Sequence, residues 1–111
     1  MPETASYIKK EAVKSYGATI YPCGNVQHQR EKALIDFQIK TGAYYIHPFD
    51  HPHIIAGQGT VALELLNQVA DLDVLVAPVG GGGLLAGIAL CAKSMVPGIQ
   101  EYGAEPLGAD D

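Results

Sequence analysis

The stretch VLVAPVGGGGLLAGIA, residues 74–89, predicts a strand, a tight turn and a helix in direct succession. The residues before Gly80 are continuously apolar and include several valines, which is typical of a parallel strand covered on both faces. The residues after Gly83 are rich in leucine and alanine, which favour a helix. Four consecutive glycines, Gly80–Gly83, separate the two elements, so the turn between them carries no side chains.

The glycine run predicts a binding site for a phosphate or another anion. Successive glycines let backbone N–H groups converge on an anion, and the following helix adds the positive end of its dipole. No lysine followed by serine or threonine comes after the glycines, which argues against a P-loop. Two alternatives stay open. One is a glycine-rich turn without a ligand. The other is a dinucleotide site with the spacing of Gly81, Gly83 and Ala86, with Glu105 as its acidic residue.

Helical and strand patterns alternate along the rest of the chain. Apolar residues at helical spacing predict helices over Pro2–Tyr16, from Asn25 to Gly42, over Thr60–Val69 and over Leu84–Met95. Short apolar runs predict strands at Ala18–Tyr21, at Tyr44–Ile46, from Asp73 to the glycines, and at Ile99–Ala104. Thr4 and Asn25 are the expected amino-terminal caps of the first two helices. This alternation implies right-handed βαβ units and a parallel sheet, which is an α/β fold.

A polar segment that contains two prolines, His47–His53, interrupts this alternation. Proline continues neither a helix interior nor a central strand, so we expect a domain boundary here, between residues 1–50 and 51–111. His47, His51 and His53 lie close together in the segment, but they lack the second ligand pair of a structural zinc site. We therefore interpret them as part of a linker and assign them no metal.

The composition indicates a globular protein that acts on a small soluble ligand. Of the 111 residues, 48% are hydrophobic and 17% are charged, and the net charge is −5. Because there is no basic run, nucleic acid and anionic membranes are poor candidate partners. Cys23 and Cys91 lack CxxC spacing, and no apolar run reaches the length of about 18 residues that a membrane span requires. We therefore expect a reduced, cytoplasmic protein.

Five short segments resemble, in order and spacing, the serine racemase and serine/threonine dehydratase group of pyridoxal-phosphate (PLP) enzymes. The segments are AGQGT at residues 56–60, ALE at 62–64, VGGGGL at 79–84, AEP at 104–106 and ADD at 109–111. These enzymes have the tryptophan synthase β-like fold, also called fold type II. The resemblance extends over residues 1–111. It implies that residues 1–50 are a portion of the small domain, and residues 51–111 the middle of the large PLP-binding domain.

The resemblance implies that Gly80–Gly83 and Leu84 bind the phosphate of PLP. It implies no catalytic residue in this chain, because no lysine has the Ser-Phe-Lys context of the family's Schiff-base lysine. We therefore expect an internal fragment of a homodimeric enzyme that acts on amino acids. The intact enzyme would racemise serine and also eliminate ammonia from serine or threonine, whereas the fragment alone should be inactive with L-serine and PLP.

The resemblance also implies a divalent-metal site. Glu105, the carbonyl of Ala109, and Asp111 fall where the serine racemases bind the cation, and such oxygen donors suit Mg²⁺, Ca²⁺ or Mn²⁺. Glu105 follows a predicted strand, at the carboxyl end where ligands of parallel sheets gather. Asp73 is a weaker candidate for the same neighbourhood. Without the resemblance, a solvated acidic loop would be the simpler explanation.

The resemblance bears on four further residues. Tyr16 aligns with a tyrosine that contacts ATP, an activator of eukaryotic serine racemases, and a helix-end residue packed on the core is an equal alternative. Gln58 and Thr60 correspond to a segment near the active-site cleft and are expected to support it. Phe49 occupies a position at which some animal racemases carry a polar residue near the cofactor, and we assign it no cofactor contact.

Two other functions stay open. A biosynthetic threonine dehydratase resembles the chain in the same way, and the spacing from Glu105 to Asp111 argues against it only weakly. A non-catalytic module would use the glycine run to hold a nucleotide or another phosphate. The missing lysine is compatible with such a module.

Overall fold

The computed structural model describes residues 1–108 and divides the chain into two compact units, Met1–Tyr45 and Ile46–Asp111. The elements are α1 (Tyr7–Ser15), α2 (Gln27–Thr41), α3 (Pro52–Gln68), β1 (Val74–Pro78), α4 (Gly83–Met95) and β2 (Gln100–Ala104). The two strands are parallel and are joined through α4, so the predicted α/β class is confirmed. Over residues 1–108, no helix has both the length and the apolar character to cross a membrane.

The first unit begins its two helices differently from the prediction. Before α1, the side chain of Ser6 accepts a hydrogen bond from Lys9 N at 3.4 Å and caps the helix. Thr4 instead donates its backbone N–H and its hydroxyl to Asn25 Oδ1, at 3.1 and 2.9 Å. The caps expected at Thr4 and Asn25 are therefore wrong, because these two residues bind each other, and α2 begins after Val26 without a side-chain cap.

Two of the predicted strands are absent. Ala18–Tyr21 and Tyr44–Ile46 have no strand structure. In this part of the chain, an isolated parallel bridge pairs Pro2 with Cys23. A strand persists where a neighbouring segment satisfies its backbone N–H and C=O groups along a ladder. Within residues 1–108 no segment forms a ladder with either apolar run, and that is the physical reason why the prediction failed.

The second unit opens with a helix that begins earlier than predicted. α3 starts at Pro52 and not at Thr60. Proline is tolerated at the first helical position, because its missing N–H would have no helical acceptor there. The ring of His51 adds a cap, since its Nδ1 accepts the N–H of His53 at 3.2 Å. Part of the expected linker is therefore the first turn of a helix.

α3 and α4 pack closely because glycines face each other across their contact. A Cβ on Gly87 would overlap Ile55 O and would lie 2.7 Å from Gly59 N. Side chains would separate the helices at this point, so the glycines fix how near they come. Beside this contact lies an apolar core that joins both helices to the strands, and its buried residues are Ala62, Leu75, Ala77, Ile88, Ala92 and Ile99.

The two-stranded sheet is covered on one face. β1 and β2 pair in parallel along their whole length. Along β1, Leu75 and Ala77 are buried, whereas Val74 and Val76 are exposed, Val76 to 67%. The expectation of cover on both faces is wrong for the described part of the chain, since nothing there covers the valine side. Because the strands are parallel, both carboxyl ends lie at the same edge of the sheet.

Candidate functional site

The glycine loop, Gly80–Gly83, lies at the carboxyl edge of the sheet. Val79 N donates to Ala104 O at 3.1 Å, which continues the pairing of the strands up to the start of the loop. Gly82 is the amino-terminal cap of α4 and has a φ of 80°, a left-handed conformation that glycine adopts without strain. The loop therefore leads from the end of the sheet directly into the amino end of α4.

The amino end of α4 presents backbone N–H groups that lack helical acceptors. The first backbone hydrogen bond of α4 runs from Ala86 N to Gly82 O at 2.9 Å. The N–H groups of Gly83, Leu84 and Leu85 therefore have no carbonyl acceptor within the helix. Together with the helix dipole, they amount to a positive partial charge of about half an elementary charge. An anion such as a phosphate is stabilised at such an end.

A cavity of about 370 Å³ lies beside these groups. Its wall contains every residue predicted to bind the cofactor phosphate, which are Gly80–Gly83 and Leu84. The remaining wall residues are Pro48, Phe49, Ile54, Gln58, Pro78 and Val79. No aspartate or glutamate is among these wall residues, so none of them repels an anion. A wall with apolar side chains and a few directed polar groups is the usual form of a cofactor site.

Of the two α3 residues expected near the cleft, the structure brings one to this cavity. Gln58 lines it. Thr60 does not line it, and its hydroxyl donates to Gly57 O at 2.7 Å. Residues two positions apart on a helix point in different directions, so only one of the pair faces the loop.

Phe49 contacts the glycine loop, which the sequence did not indicate, although the resemblance places its position near the cofactor. Its ring lies against Gly81, where an added Cβ would overlap the ring, and its carbonyl oxygen lies 2.7 Å from the Cβ position of Gly83. It also borders an adjoining cavity of about 350 Å³, which Asp50 and the loop glycines Gly81–Gly83 line as well. The contact is tertiary and Phe49 lies in a segment without periodicity, so no local signal in the sequence could have revealed it.

The histidines before α3 act as hydrogen-bond acceptors. His47 Nδ1 accepts the backbone N–H groups of Phe49 at 3.3 Å and of Asp50 at 2.7 Å. His51 Nδ1 accepts from His53 N, and the two imidazole rings lie 5.2 Å apart in edge contact. These side chains therefore shape the turn that carries Phe49 to the glycine loop.

One of the three predicted metal ligands can be placed. Glu105 directly follows β2 and is exposed, at the same edge of the sheet as the glycine loop. Ala109 and Asp111 lie outside the described residues. Across residues 1–108, no group of three or more histidine, cysteine, aspartate or glutamate residues is arranged to hold a metal ion. Asp73 precedes β1 at the opposite edge, roughly 20 Å from Glu105 along the strands. Its assignment to the same neighbourhood is therefore wrong.

Lys93 lies away from the glycine loop. It is the only cationic side chain that the sequence places in residues 46–111, apart from histidines. Its Nζ lies 2.8 Å from Glu101 Oε2 and donates to Ile99 O at 3.0 Å. It lies ten positions after Gly83 on α4, or about 15 Å along the helix axis. No lysine or arginine of residues 46–111 therefore lies beside the glycine loop.

Tyr16 is exposed at the end of α1. Its side chain is 85% accessible, and its backbone N–H donates to Ala12 O at 3.3 Å as the carboxyl-terminal cap. The alternative in which it packs on the core is therefore wrong for the described chain. The nucleotide contact stays a prediction.

Comparisons with known proteins agree on the family. The family model "Pyridoxal-phosphate dependent enzyme" matches residues 1–111. A serine racemase from Mus musculus is 48% identical over 111 residues, which are 100% of this chain and 33% of that protein. The structure of maize serine racemase superposes with a TM-score of 0.97 at 45% identity, covering 99% of this chain and 33% of that one. The structure of threonine deaminase isoform 2 from Solanum lycopersicum superposes with a TM-score of 0.89 at 38% identity, covering 99% of this chain and 32% of that one. The chain spans about a third of the length of these relatives.

Proposed function

Because the chain belongs to the family of pyridoxal-phosphate dependent enzymes, we propose that it supplies the phosphate-binding part of a serine racemase. The glycine loop carries this proposal, since it joins the carboxyl end of β1 to the amino end of α4 beside a cavity without acidic wall residues. The 48% identity with a serine racemase over the whole chain supports serine as the substrate. In such enzymes PLP supplies the electron sink that makes the α-proton of an amino acid acidic.

The residues of this chain would bind and orient the cofactor. The N–H groups of Gly83, Leu84 and Leu85 would hold the phosphate dianion, and the dipole of α4 would stabilise its charge. Gln58 is the residue of the cavity wall with a polar side chain, and its amide would donate to an anion or a ring substituent. The apolar side chains of Phe49 and Ile54 would keep water away, which strengthens each of these polar contacts.

The chain taken alone would not carry the reaction. Racemisation and elimination both require a base at the α-carbon, and in this family the lysine that binds the cofactor serves as one. Lys93 does not serve here, because it is held by Glu101 and the Ile99 carbonyl. We therefore expect no turnover of L-serine by the purified chain with PLP.

The resemblance also suggests a metal ion, a nucleotide activator, an oligomeric state and a cellular location. We propose that Glu105 helps to bind Mg²⁺, Ca²⁺ or Mn²⁺ together with the Ala109 carbonyl and Asp111, and its exposure at the carboxyl edge of the sheet supports this. Tyr16 would contact ATP as an activator, and its exposure leaves its ring accessible. The intact enzyme would be a homodimer in the cytoplasm with serine/threonine ammonia-lyase side activity.

A threonine dehydratase is the second candidate. It is favoured by the likeness to tomato threonine deaminase, with a TM-score of 0.89 over 99% of the chain. The same glycine loop would serve in both reactions, so the loop cannot choose between them. A non-catalytic module that binds a phosphate or a nucleotide is the third candidate, supported by the absence of a lysine of the second unit near the loop.

Product analysis of the complete coding sequence, expressed with PLP, tests the proposal. A serine racemase converts L-serine to D-serine and also releases pyruvate. A threonine dehydratase gives 2-oxobutyrate from L-threonine and no D-serine. Reduction with borohydride should fix the cofactor on one lysine outside the 111 residues. Absence of both products and of a trapped lysine would leave only the binding module.

A further inference from the structure

The four glycines of the loop are glycine for different reasons. Gly82 has a φ of 80°, so any side chain there would strain the backbone. Gly80 has no positive φ, and open space surrounds its Cβ position. At Gly81 an added Cβ would overlap the ring of Phe49, and at Gly83 it would lie 2.7 Å from the Phe49 carbonyl oxygen. Protein packing therefore requires glycine at two of the four positions, and both contacts are with Phe49.

Phe49 itself is fixed by its own turn. His47 Nδ1 accepts the backbone N–H groups of Phe49 and Asp50, at 3.3 and 2.7 Å. The rings of His47 and Phe49 also meet edge to face, with centroids 4.7 Å apart and an interplanar angle of 81°. Pro48 restricts the backbone between them. Contacts within its own turn thus hold the Phe49 ring independently of the loop, although 40% of the residue is exposed.

We infer that Phe49 is a positioning residue of the phosphate cradle. It braces the loop at Gly81 and Gly83 and so fixes the direction of the N–H groups at the start of α4. Contact with Phe49 then requires glycine at positions 81 and 83. At position 80 no protein atom lies near the Cβ position, so space remains there for a ligand. The inference rests on the proposed binding of a phosphate by this loop, and adds which side chain makes the loop rigid enough to do so.

Two double variants test the brace. In Phe49→Ala/Gly81→Ala the ring is gone, so the new methyl group has room. In Phe49→Ala/Gly83→Ala the Phe49 carbonyl remains, so the clash persists. The ligand is pyridoxine 5′-phosphate, which has no aldehyde and does not react with surface lysines. Its affinity for the whole chain is measured by fluorescence, and the unfolding midpoint without ligand by circular dichroism.

We expect Gly81→Ala and Gly83→Ala each to weaken binding about tenfold or more. Phe49→Ala alone should weaken it about threefold, because the loop loses its brace. Adding Phe49→Ala should restore Gly81→Ala to the level of the Phe49→Ala variant and leave Gly83→Ala unrestored. Should Gly81→Ala not fold, folding of its double variant is the same rescue. The unfolding midpoints should show the same order.

Three outcomes would overturn the inference. These are unchanged binding in Phe49→Ala, no rescue of Gly81→Ala, or equal rescue of both glycine variants. If the unsubstituted chain binds pyridoxine 5′-phosphate no better than pyridoxine, the proposed function itself fails. If it does prefer the phosphate and the losses are additive, only the role of Phe49 fails.

Discussion

The two units of the chain are held together in different ways. In the first, α1 and α2 contain no buried residue, and polar bonds such as those from Thr4 to Asn25 connect the segments before the helices. In the second, glycine contacts bring α3 and α4 together beside an apolar core. The second unit forms its core within the described chain, although Val76 of its sheet stays exposed. The first unit has no buried helical residue, and Ile8 and Ile39 are exposed. The glycine loop accordingly lies in the unit that has the apolar core.

The largest effect should come from the contact between α3 and α4. Gly87→Ala would place a methyl group against Ile55 O and Gly59 N, both backbone atoms that cannot move aside easily. We expect a loss of about 3 kcal/mol in the stability of the second unit. Gly57→Ala is the matched control, because open space surrounds that position, and alanine should stabilise the helix by up to about 1 kcal/mol.

Amide hydrogen exchange of the Gly87→Ala variant measures the loss of stability separately in each unit. Gly87→Ala should speed exchange throughout α3, α4 and the sheet and leave α1 and α2 unchanged. A uniform increase over both units would show that the chain unfolds as a single body. Tolerance of the alanine would show that the helices do not meet at these glycines.

Truncating the core comes next. Ile99→Ala removes the largest side chain that is fully buried in the described chain, at 1% exposure, and should destabilise the second unit by about 2–4 kcal/mol. Phe37→Ala in the first unit loses a tilted ring contact with Tyr21, at a centroid distance of 5.3 Å, and should cost about 1 kcal/mol. Urea denaturation of both variants provides the measurement. Equal losses would remove the distinction between a packed and a polar unit.

The two units also differ in how deeply they bury an ion pair. Glu101 is paired with Lys93, and its side chain is only 6% exposed, while its Oε1 has no hydrogen-bond partner within the described residues. Lys93→Met would leave this carboxylate without its cation, which we expect to cost about 1–3 kcal/mol. Lys14→Met breaks the exposed pair with Glu11 and should change stability by less than about 0.5 kcal/mol. Thermal unfolding of both variants measures these losses. Equal shifts of the two unfolding midpoints would argue that Glu101 is solvated.

The smallest predicted effect tests the polar connection of the first unit. Asn25→Ala removes the acceptor of two hydrogen bonds from Thr4 and should destabilise that unit by about 1 kcal/mol. Asn67→Ala, at an exposed position of α3, should leave the first unit unaffected. Proteolysis of the segment before α1 reports the change, since its release exposes the backbone to cleavage. No increase in cleavage would mean that other contacts hold it.

How much could be predicted from the sequence depended on how local the signal was. The helix from Gly83 to Met95 and the strand before the glycines were predicted to within about one residue, because apolar runs and glycines mark their ends. The end of α2 at Gly42, with a φ of 71°, was confirmed for the same reason. The predicted start of α3 is wrong, because the proline at position 52 breaks no helix here: it stands at the first helical position.

The failures of prediction concern contacts between distant segments. Whether Ala18–Tyr21 becomes a strand depends on a neighbour that the run itself does not encode. Likewise, the packing of Phe49 against Gly81 depends on the whole course of the chain between them. The glycine loop was predicted as an anion cradle from its own residues. The side chain that braces it became visible only in the structure.

The most direct test of the central claim is the contribution of the phosphate to binding. The chain is titrated with pyridoxine 5′-phosphate and with pyridoxine, which differ only in that group. We predict a preference for the phosphate of at least about tenfold, reversed by inorganic phosphate. Gly80→Asp should abolish the preference without lowering the unfolding midpoint, because open space surrounds Gly80 and the new charge repels the anion. Equal affinities for the two ligands would contradict the claim that Gly80–Gly83 bind a phosphate.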